Sequence, residues 1–123
     1  MSNTSYQDLQ VWQNWMNLAE RAYGLTRQFP KEELFGMTSQ IRRAATSIPA
    51  NIAEGWGRQT TGEFRQFLHN AQGSLRELET HFLLAMRVKL ASSEQIQPLL
   101  DLCQVIGRQL INLQRSLSTK KLR

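Results

Sequence analysis

The stretch SQIRRAATSIPANIAEG, residues 39–55, contains the pattern that decides the fold. Its apolar side chains recur at intervals of three and four residues, which places them on one face of an α-helix. They are Ile41, Ala44, Ala45, Ile48 and Ile52. Pro49 lies inside this pattern and cannot donate a helical hydrogen bond, so we expect a kink there. The Gly55-Trp56-Gly57 turn then predicts the end of the helix.

The same helical spacing extends over almost the whole chain. The predicted helices cover about 6–29, 31–56, 61–90 and 93–118, and a basic tail follows at 119–123. The start of the second helix is open, because Pro30 and the turn at Gly36 are both good start signals. Four helices of similar length with short connections predict an all-α fold, a single antiparallel up-down-up-down bundle over residues 1–123.

The first helix carries two neighbouring rows of apolar residues, whereas a surface helix needs only one. The second row includes Val11, Trp15, Leu18 and Leu25. Trp15 has two interpretations: it fills a wide core, or it lies at a subunit interface, where Trp is frequent among anchor residues. Because soluble monomers seldom expose a large apolar patch, we expect a homo-oligomer with this row as its candidate interface.

The composition excludes several classes of protein. The chain has 15 Lys and Arg against 10 Asp and Glu, which gives a net charge of +5. Hydrophobic residues make up 41% of the chain, too large a share for a disordered protein. No apolar run approaches the roughly 18 residues that span a bilayer. Cys103 is the single cysteine, so no internal disulfide can form. We therefore expect a cytoplasmic protein without membrane association, whose charge suits a phosphate-rich partner.

Groups that could support catalysis are sparse. His69 and His81 lie about 120° apart on one helix, so they cannot share a ligand site within it. A di-iron bundle needs Glu three residues before each inward His, and Gln66 and Leu78 occupy those positions. Cys103 follows the apolar pattern of the fourth helix and is expected in the core. The sequence predicts no enzyme, no metal site and no cofactor.

The arginines show a more informative spacing. Arg65, Arg76 and Arg87 are separated by 11 residues, which returns each to within about 20° of the same helix face. Arg108 and Arg115 share a face of the fourth helix for the same reason. A row of arginines about 16 Å apart can follow a phosphate backbone, and these five are candidate nucleic-acid contacts. The alternative is a solvated face, partly paired with Glu63 and Glu79.

Residues 39–55 together with Gly57-Arg58 resemble the signature of the 23S rRNA-intervening-sequence proteins, small bacterial four-helix bundles. Leu9-Gln10-Val11-Trp12 and the stretch GSLRELET at 73–80 match the same pattern, so the resemblance covers about residues 6–118. Such proteins are similar in fold to the accessory variability protein of diversity-generating retroelements. That resemblance implies a homopentameric barrel with a basic surface that binds nucleic acid and a reverse transcriptase. The family has no agreed catalytic residues, and none is transferred to this chain.

Within the signature segment, structural roles are expected first. The alanines allow close packing, and Glu54 can pair with Arg58 one helical turn later. Arg42 and Arg43 are also candidate nucleic-acid contacts, because two adjacent arginines cannot both face one carboxylate.

Two functions follow as hypotheses. The first is a non-enzymatic, ring-forming bundle that binds structured RNA or other nucleic acid through its arginines. The second is a protein-binding adaptor, for example for a reverse transcriptase, with no direct role in nucleic-acid binding.

Overall fold

The computed structural model describes residues 5–58 and 60–121. Its four α-helices are α1 (Gln10–Thr26), α2 (Met37–Trp56), α3 (Thr61–Arg87) and α4 (Ser93–Lys121). Short 3-10 turns at Tyr6–Asp8 and Lys31–Glu33 precede α1 and α2. No β-strand occurs within the described ranges. The prediction of an all-α fold with four helices is confirmed.

The helices pack in a closed order, α1 on α2, α2 on α3, α3 on α4, and α4 back on α1. Short connections between consecutive packed helices make each neighbouring pair antiparallel. The side chain of Gln95, at the start of α4, donates to that of Gln28 just after α1 at 2.9 Å. This bond places the α1–α2 and α3–α4 connections at the same end of the bundle.

The core contains the apolar faces that the spacing predicts for α2, α3 and α4, and from α1 it contains the second apolar row. Val11, Trp15, Leu18 and Leu25 are 5%, 0%, 1% and 7% exposed. The prediction that this row forms an oligomer interface is therefore wrong, because these four side chains fill the interior of a single chain. Of the two interpretations of Trp15, the structure supports the core position and not the subunit interface.

Helix boundaries differ from the predicted ones near the connections. α1 begins at Gln10 because the backbone at Leu9 is extended, after a 3-10 turn capped by Ser5. It ends at Thr26 and not at 29, since Gln28 and Phe29 donate to the carbonyls three residues back, a tighter turn. α2 begins at Met37, directly after Gly36, which selects the later of the two predicted starts.

The ends of α3 and α4 also differ. α3 stops at Arg87 because Lys89 takes a left-handed conformation, with φ of 68°. The amides of Lys89 and Leu90 then donate to the carbonyls of Met86 and Ala85, which is a Schellman motif. α4 continues through Lys121, so residues 119–121 of the predicted tail are helical, whereas 122 and 123 lie outside the described residues.

Close packing of α2 on α3 depends on Gly55. A Cβ atom added at Gly55 would lie 2.6 Å from the Cβ of Phe67 and 3.0 Å from Cδ1 of Phe64. Real carbon atoms do not approach so closely, so the backbone of α2 reaches α3 here only because residue 55 has no side chain. The predicted Glu54–Arg58 pair forms beside this contact at 2.8 Å, with the Arg58 guanidinium 5.0 Å above the Phe67 ring.

Candidate nucleic-acid interface

The arginines of α3 lie on its outer side, next to α4. A Cβ atom at Gly107 of α4 would lie 4.0 Å from Nη1 of Arg76. Further along, the side-chain amide of Gln114 donates to the carbonyl oxygen of Gln72 at 2.9 Å. Arg65 and Arg76 therefore border the line along which α3 and α4 meet.

The arginines of α4 project on the same side of the bundle. Gly107 and Gln114 face α3, and Arg108 and Arg115 are the residues that follow them. Each is therefore rotated about 100° from that contact, toward the outer surface. Arg108 and Arg115 are exposed, as is Arg76, whereas Arg65 is half-buried. We call Arg65, Arg76, Arg108 and Arg115 the arginine face.

Acidic residues are unevenly distributed around the arginine face. Arg76 donates to the carboxylate of Glu79 at 3.0 Å. Arg65 and Arg108 form no ion pair with any residue in 5–58 or 60–117. The face therefore keeps a net positive charge toward solvent, which is the electrostatic requirement for holding a phosphate backbone.

Arg87 lies at the C-terminal end of α3, about 16 Å from Arg76 along the helix. On α4, Asp101 lies seven residues before Arg108 and so on the same row, and Glu94 lies seven residues earlier still. Because α3 and α4 are antiparallel, this acidic half of α4 runs beside the C-terminal end of α3, where Arg87 lies. Helical spacing groups Arg87 with Arg65 and Arg76. The register between α3 and α4 adds that the end of α3 with Arg87 packs beside the half of α4 that carries the acidic residues.

A cleft opens at the other end of the arginine face. It has a volume of about 350 Å³ and is lined by Gly62, Arg65, Gln66, His69 and Gln114. The first four belong to the first two turns and a half of α3, and Gln114 comes from α4. Gln66 and Gln114 are not among the site residues predicted from the sequence, since no local signal reports which part of α4 packs against the start of α3.

Arg42 has a structural role and lies away from the arginine face. Its Nε donates to the hydroxyl of Thr26 at 2.8 Å, and its guanidinium stacks 4.4 Å from the centre of the Tyr23 ring. Thr26 is buried and itself donates to the carbonyl of Ala22, so Arg42 ties α2 to the end of α1. Arg42 thus has a structural role within the fold, and its role as a nucleic-acid contact stays a prediction.

Arg43 projects from the opposite flank of α2, toward α3. It is exposed and lines a cavity of about 300 Å³ with Ser47, Ser74 and Glu77, among others. The Ser47 hydroxyl donates to that of Ser74 at 2.8 Å across the two helices. The adjacent arginines Arg42 and Arg43 thus lie on different surfaces, and neither joins the arginine face.

The remaining titratable groups do not converge. Cys103 is buried, and desolvation, with a smaller contribution from Glu79, raises the pKa of its thiol to about 12 despite the nearby Arg76. His69 is exposed, whereas His81 is half-buried, with Nε2 3.6 Å from the Glu77 carboxylate. Within the described ranges, no group of three or more His, Cys, Asp or Glu side chains is placed to hold a metal ion. None of the described helices combines the length and apolar character needed to cross a membrane.

The chain is similar to a known protein family and to a solved structure. The family model described as 23S rRNA-intervening sequence protein matches residues 7–112. A crystal structure from Bacteroides thetaiotaomicron, described as a protein with unknown function from the S23 ribosomal protein family, is similar with a TM-score of 0.75. The two sequences are 27% identical, over 84% of this chain and 96% of that one. No curated protein matches the chain.

Proposed function

The chain belongs to the 23S rRNA-intervening sequence protein family, and we propose that it is a non-enzymatic four-helix bundle that binds structured RNA through the arginine face. The observation that carries this proposal is the convergence of four arginines from two helices on one outer surface. Contacts between arginines and phosphates contribute to nucleic-acid binding whatever the base sequence, because each neutralised phosphate releases a counterion.

The chemistry and spacing of these arginines support RNA over a simple anion. A guanidinium presents a planar fork of donors that fits phosphate oxygens, and Arg65 and Arg76 stand about 16 Å apart along α3. Arg108 and Arg115 add a second row on α4, about 10 Å from one another along the helix axis. Two parallel rows suit an extended polyanion better than a single small ligand.

The absence of a catalytic role is part of the proposal. The thiol of Cys103 is buried and protonated at neutral pH, because the pKa is raised to about 12. His69 and His81 lie apart, so they cannot act together on a bond.

Assembly into a homo-oligomer, a pentamer by the family resemblance, is the second part of the proposal. A net charge of +5 on one chain supports only weak binding. Several copies presenting the arginine face to one RNA would raise the affinity through multivalency. Exposed apolar side chains that could bury against a second copy include Met16, Leu84 and Val88, at 44%, 44% and 55% exposure.

A protein-binding adaptor, for example for a reverse transcriptase, is the alternative function, and one observation favours it. Phe35 is 92% exposed in the connection between α1 and α2, and its neighbour Leu34 is 49% exposed. Two neighbouring exposed apolar side chains on one connection form a small contiguous apolar surface, the kind of feature that a partner protein can cover.

The decisive experiment compares two triple variants with the same loss of charge. In the first, Arg65, Arg76 and Arg108 are replaced by Gln; in the control, Arg21, Arg27 and Arg87 are replaced by Gln. Binding to a fluorescein-labelled RNA hairpin is measured by anisotropy over a series of salt concentrations. The first variant should bind at least about tenfold more weakly, with a salt slope reduced by about 2, whereas the control should change much less.

Equal losses in the two variants would mean that net charge alone drives binding, and the arginine face would then have no specific role. If neither variant loses RNA affinity but light scattering shows smaller assemblies for the first, those arginines serve subunit contacts. The adaptor function would then replace the RNA-binding one.

A further inference from the structure

We propose that the cleft formed by Arg65, Gln66, His69 and Gln114 receives a single unpaired nucleotide of the bound RNA, its phosphate on Arg65 and its base against the two glutamines. This inference rests on the proposed RNA-binding function and specifies which part of the RNA is recognised. The cleft lies at the edge of the arginine face, so a strand following that face reaches it directly.

The lining of the cleft combines one cation with neutral groups that recognise a base. Arg65 supplies guanidinium donors, and His69, one helical turn further along α3, supplies an aromatic imidazole. Gln66 and Gln114 add two side-chain amides, and no Asp or Glu among the described residues lines the cleft. The N–H groups of a primary amide can also donate to phosphate oxygens, but only a base edge carries both the donors and the acceptors that an amide can match.

Both amides are held by hydrogen bonds that leave their carbonyl oxygens as acceptors. The Gln114 amide donates to the carbonyl oxygen of Gln72 at 2.9 Å, and the Gln66 amide donates to that of Asn70 at 3.2 Å. These bonds limit the rotation of two otherwise flexible side chains. The side-chain entropy lost when a base binds is correspondingly smaller.

The size and position of the cleft favour an unpaired nucleotide over a paired one. A volume of about 350 Å³ is at the lower end of the range for small-ligand sites, which suits one nucleotide. In an A-form duplex the major groove is too narrow for side chains to read and the base faces are stacked on one another, whereas an unpaired base can be turned out and stacked on a protein side chain. The imidazole of His69 and the guanidinium of Arg65 are both planar groups on which a base can stack.

The test uses two single substitutions with identical charge on one helix. Gln114→Glu places a carboxylate in the cleft, and Gln97→Glu places one on the exposed surface of α4, about 25 Å away along the helix and away from Arg108 and Arg115. Each full-length variant is titrated by fluorescence anisotropy against a labelled single-stranded RNA of about 12 nucleotides and the blunt duplex of the same sequence. Gln114→Glu should weaken single-strand binding about tenfold and duplex binding far less, and Gln97→Glu should change both by less than about threefold.

A second measurement distinguishes a nucleotide site from an anion site. Side-chain amide signals of Gln66 and Gln114 are followed by ¹H–¹⁵N NMR during addition of cytidine 5′-monophosphate or inorganic phosphate. Shifts with the nucleotide alone support the proposal, and equal shifts with phosphate overturn it.

Failure of this inference is distinguishable from failure of RNA binding. If Gln114→Glu and Gln97→Glu weaken binding of both RNAs equally, the cleft has no special role while the arginine face still binds RNA. If the unaltered protein binds neither RNA, the proposed function itself fails.

Discussion

Replacing Gly55 with Ala should destabilise the protein, although Ala is normally the better residue in a helix. The added Cβ would lie 2.6 Å from the Cβ of Phe67, an atom attached directly to the backbone of α3. A side-chain rotation cannot move that atom, so the two helices must separate locally. Overpacking of this kind costs about 1–3 kcal/mol, while the higher helix propensity of Ala returns at most about 1 kcal/mol.

The net loss should therefore be about 1–2 kcal/mol. For a chain of 123 residues the unfolding entropy implies about 4 °C per kcal/mol, so Tm should fall by about 4–8 °C. Gly73→Ala in α3 is the matched control, because nothing lies within 4 Å of an added Cβ and the residue is exposed. That substitution should raise Tm by about 3–4 °C.

Thermal unfolding followed by circular dichroism measures both effects, and Gly107→Ala completes the series. The nearest atom to an added Cβ at Gly107 is Cδ2 of Leu75 at 3.5 Å, an ordinary contact, so its Tm should not fall. If Gly55→Ala raises Tm as much as Gly73→Ala does, the close approach of α2 to α3 at Gly55 is refuted.

Two further substitutions test other local features. Arg42→Ala should lower the free energy of unfolding by about 1–2 kcal/mol, because the Thr26 hydrogen bond and the Tyr23 stacking are lost. The RNA affinity of this variant should stay within about twofold of the unaltered protein. Arg43→Ala, the control, should change the free energy of unfolding by less than about 0.5 kcal/mol. Melting curves and anisotropy check both, and a large loss of RNA affinity in Arg42→Ala would contradict the structural role. Lys89→Gly should raise stability by about 1 kcal/mol, because Gly adopts the left-handed conformation without strain, and an unchanged or lower Tm would contradict this reasoning.

The starts of α3 and α4 were readable from local chemistry. Thr60 and Glu63 form a complete capping box, with the Glu63 amide donating to the Thr60 hydroxyl at 3.1 Å, and Ser92 and Gln95 bond in the same way. These signals involve residues only three apart, so they act before any tertiary structure exists. The end of α3 was missed because Lys89 replaces the usual Gly, and only the fold holds Lys in that conformation.

The candidate site was predictable only in part. Spacing along one helix placed Arg65 with Arg76 and Arg108 with Arg115, since helical geometry needs no knowledge of neighbouring helices. It could not reveal that Arg42 is bound to Thr26, a residue 16 positions earlier. Nor could it place Gln114 beside the first turns of α3.

The sequence by itself determined the number of helices and the apolar face of α2, α3 and α4, because the spacing of apolar residues is a property of each helix alone. The tertiary structure alone decided which row of α1 fills the core, since both rows are apolar and only packing against three other helices selects one. Trp15 is completely buried, whereas Met16, the next residue, is 44% exposed. The same packing sets the register of α3 against α4, and so brings four arginines together while leaving Arg87 beside the acids of α4.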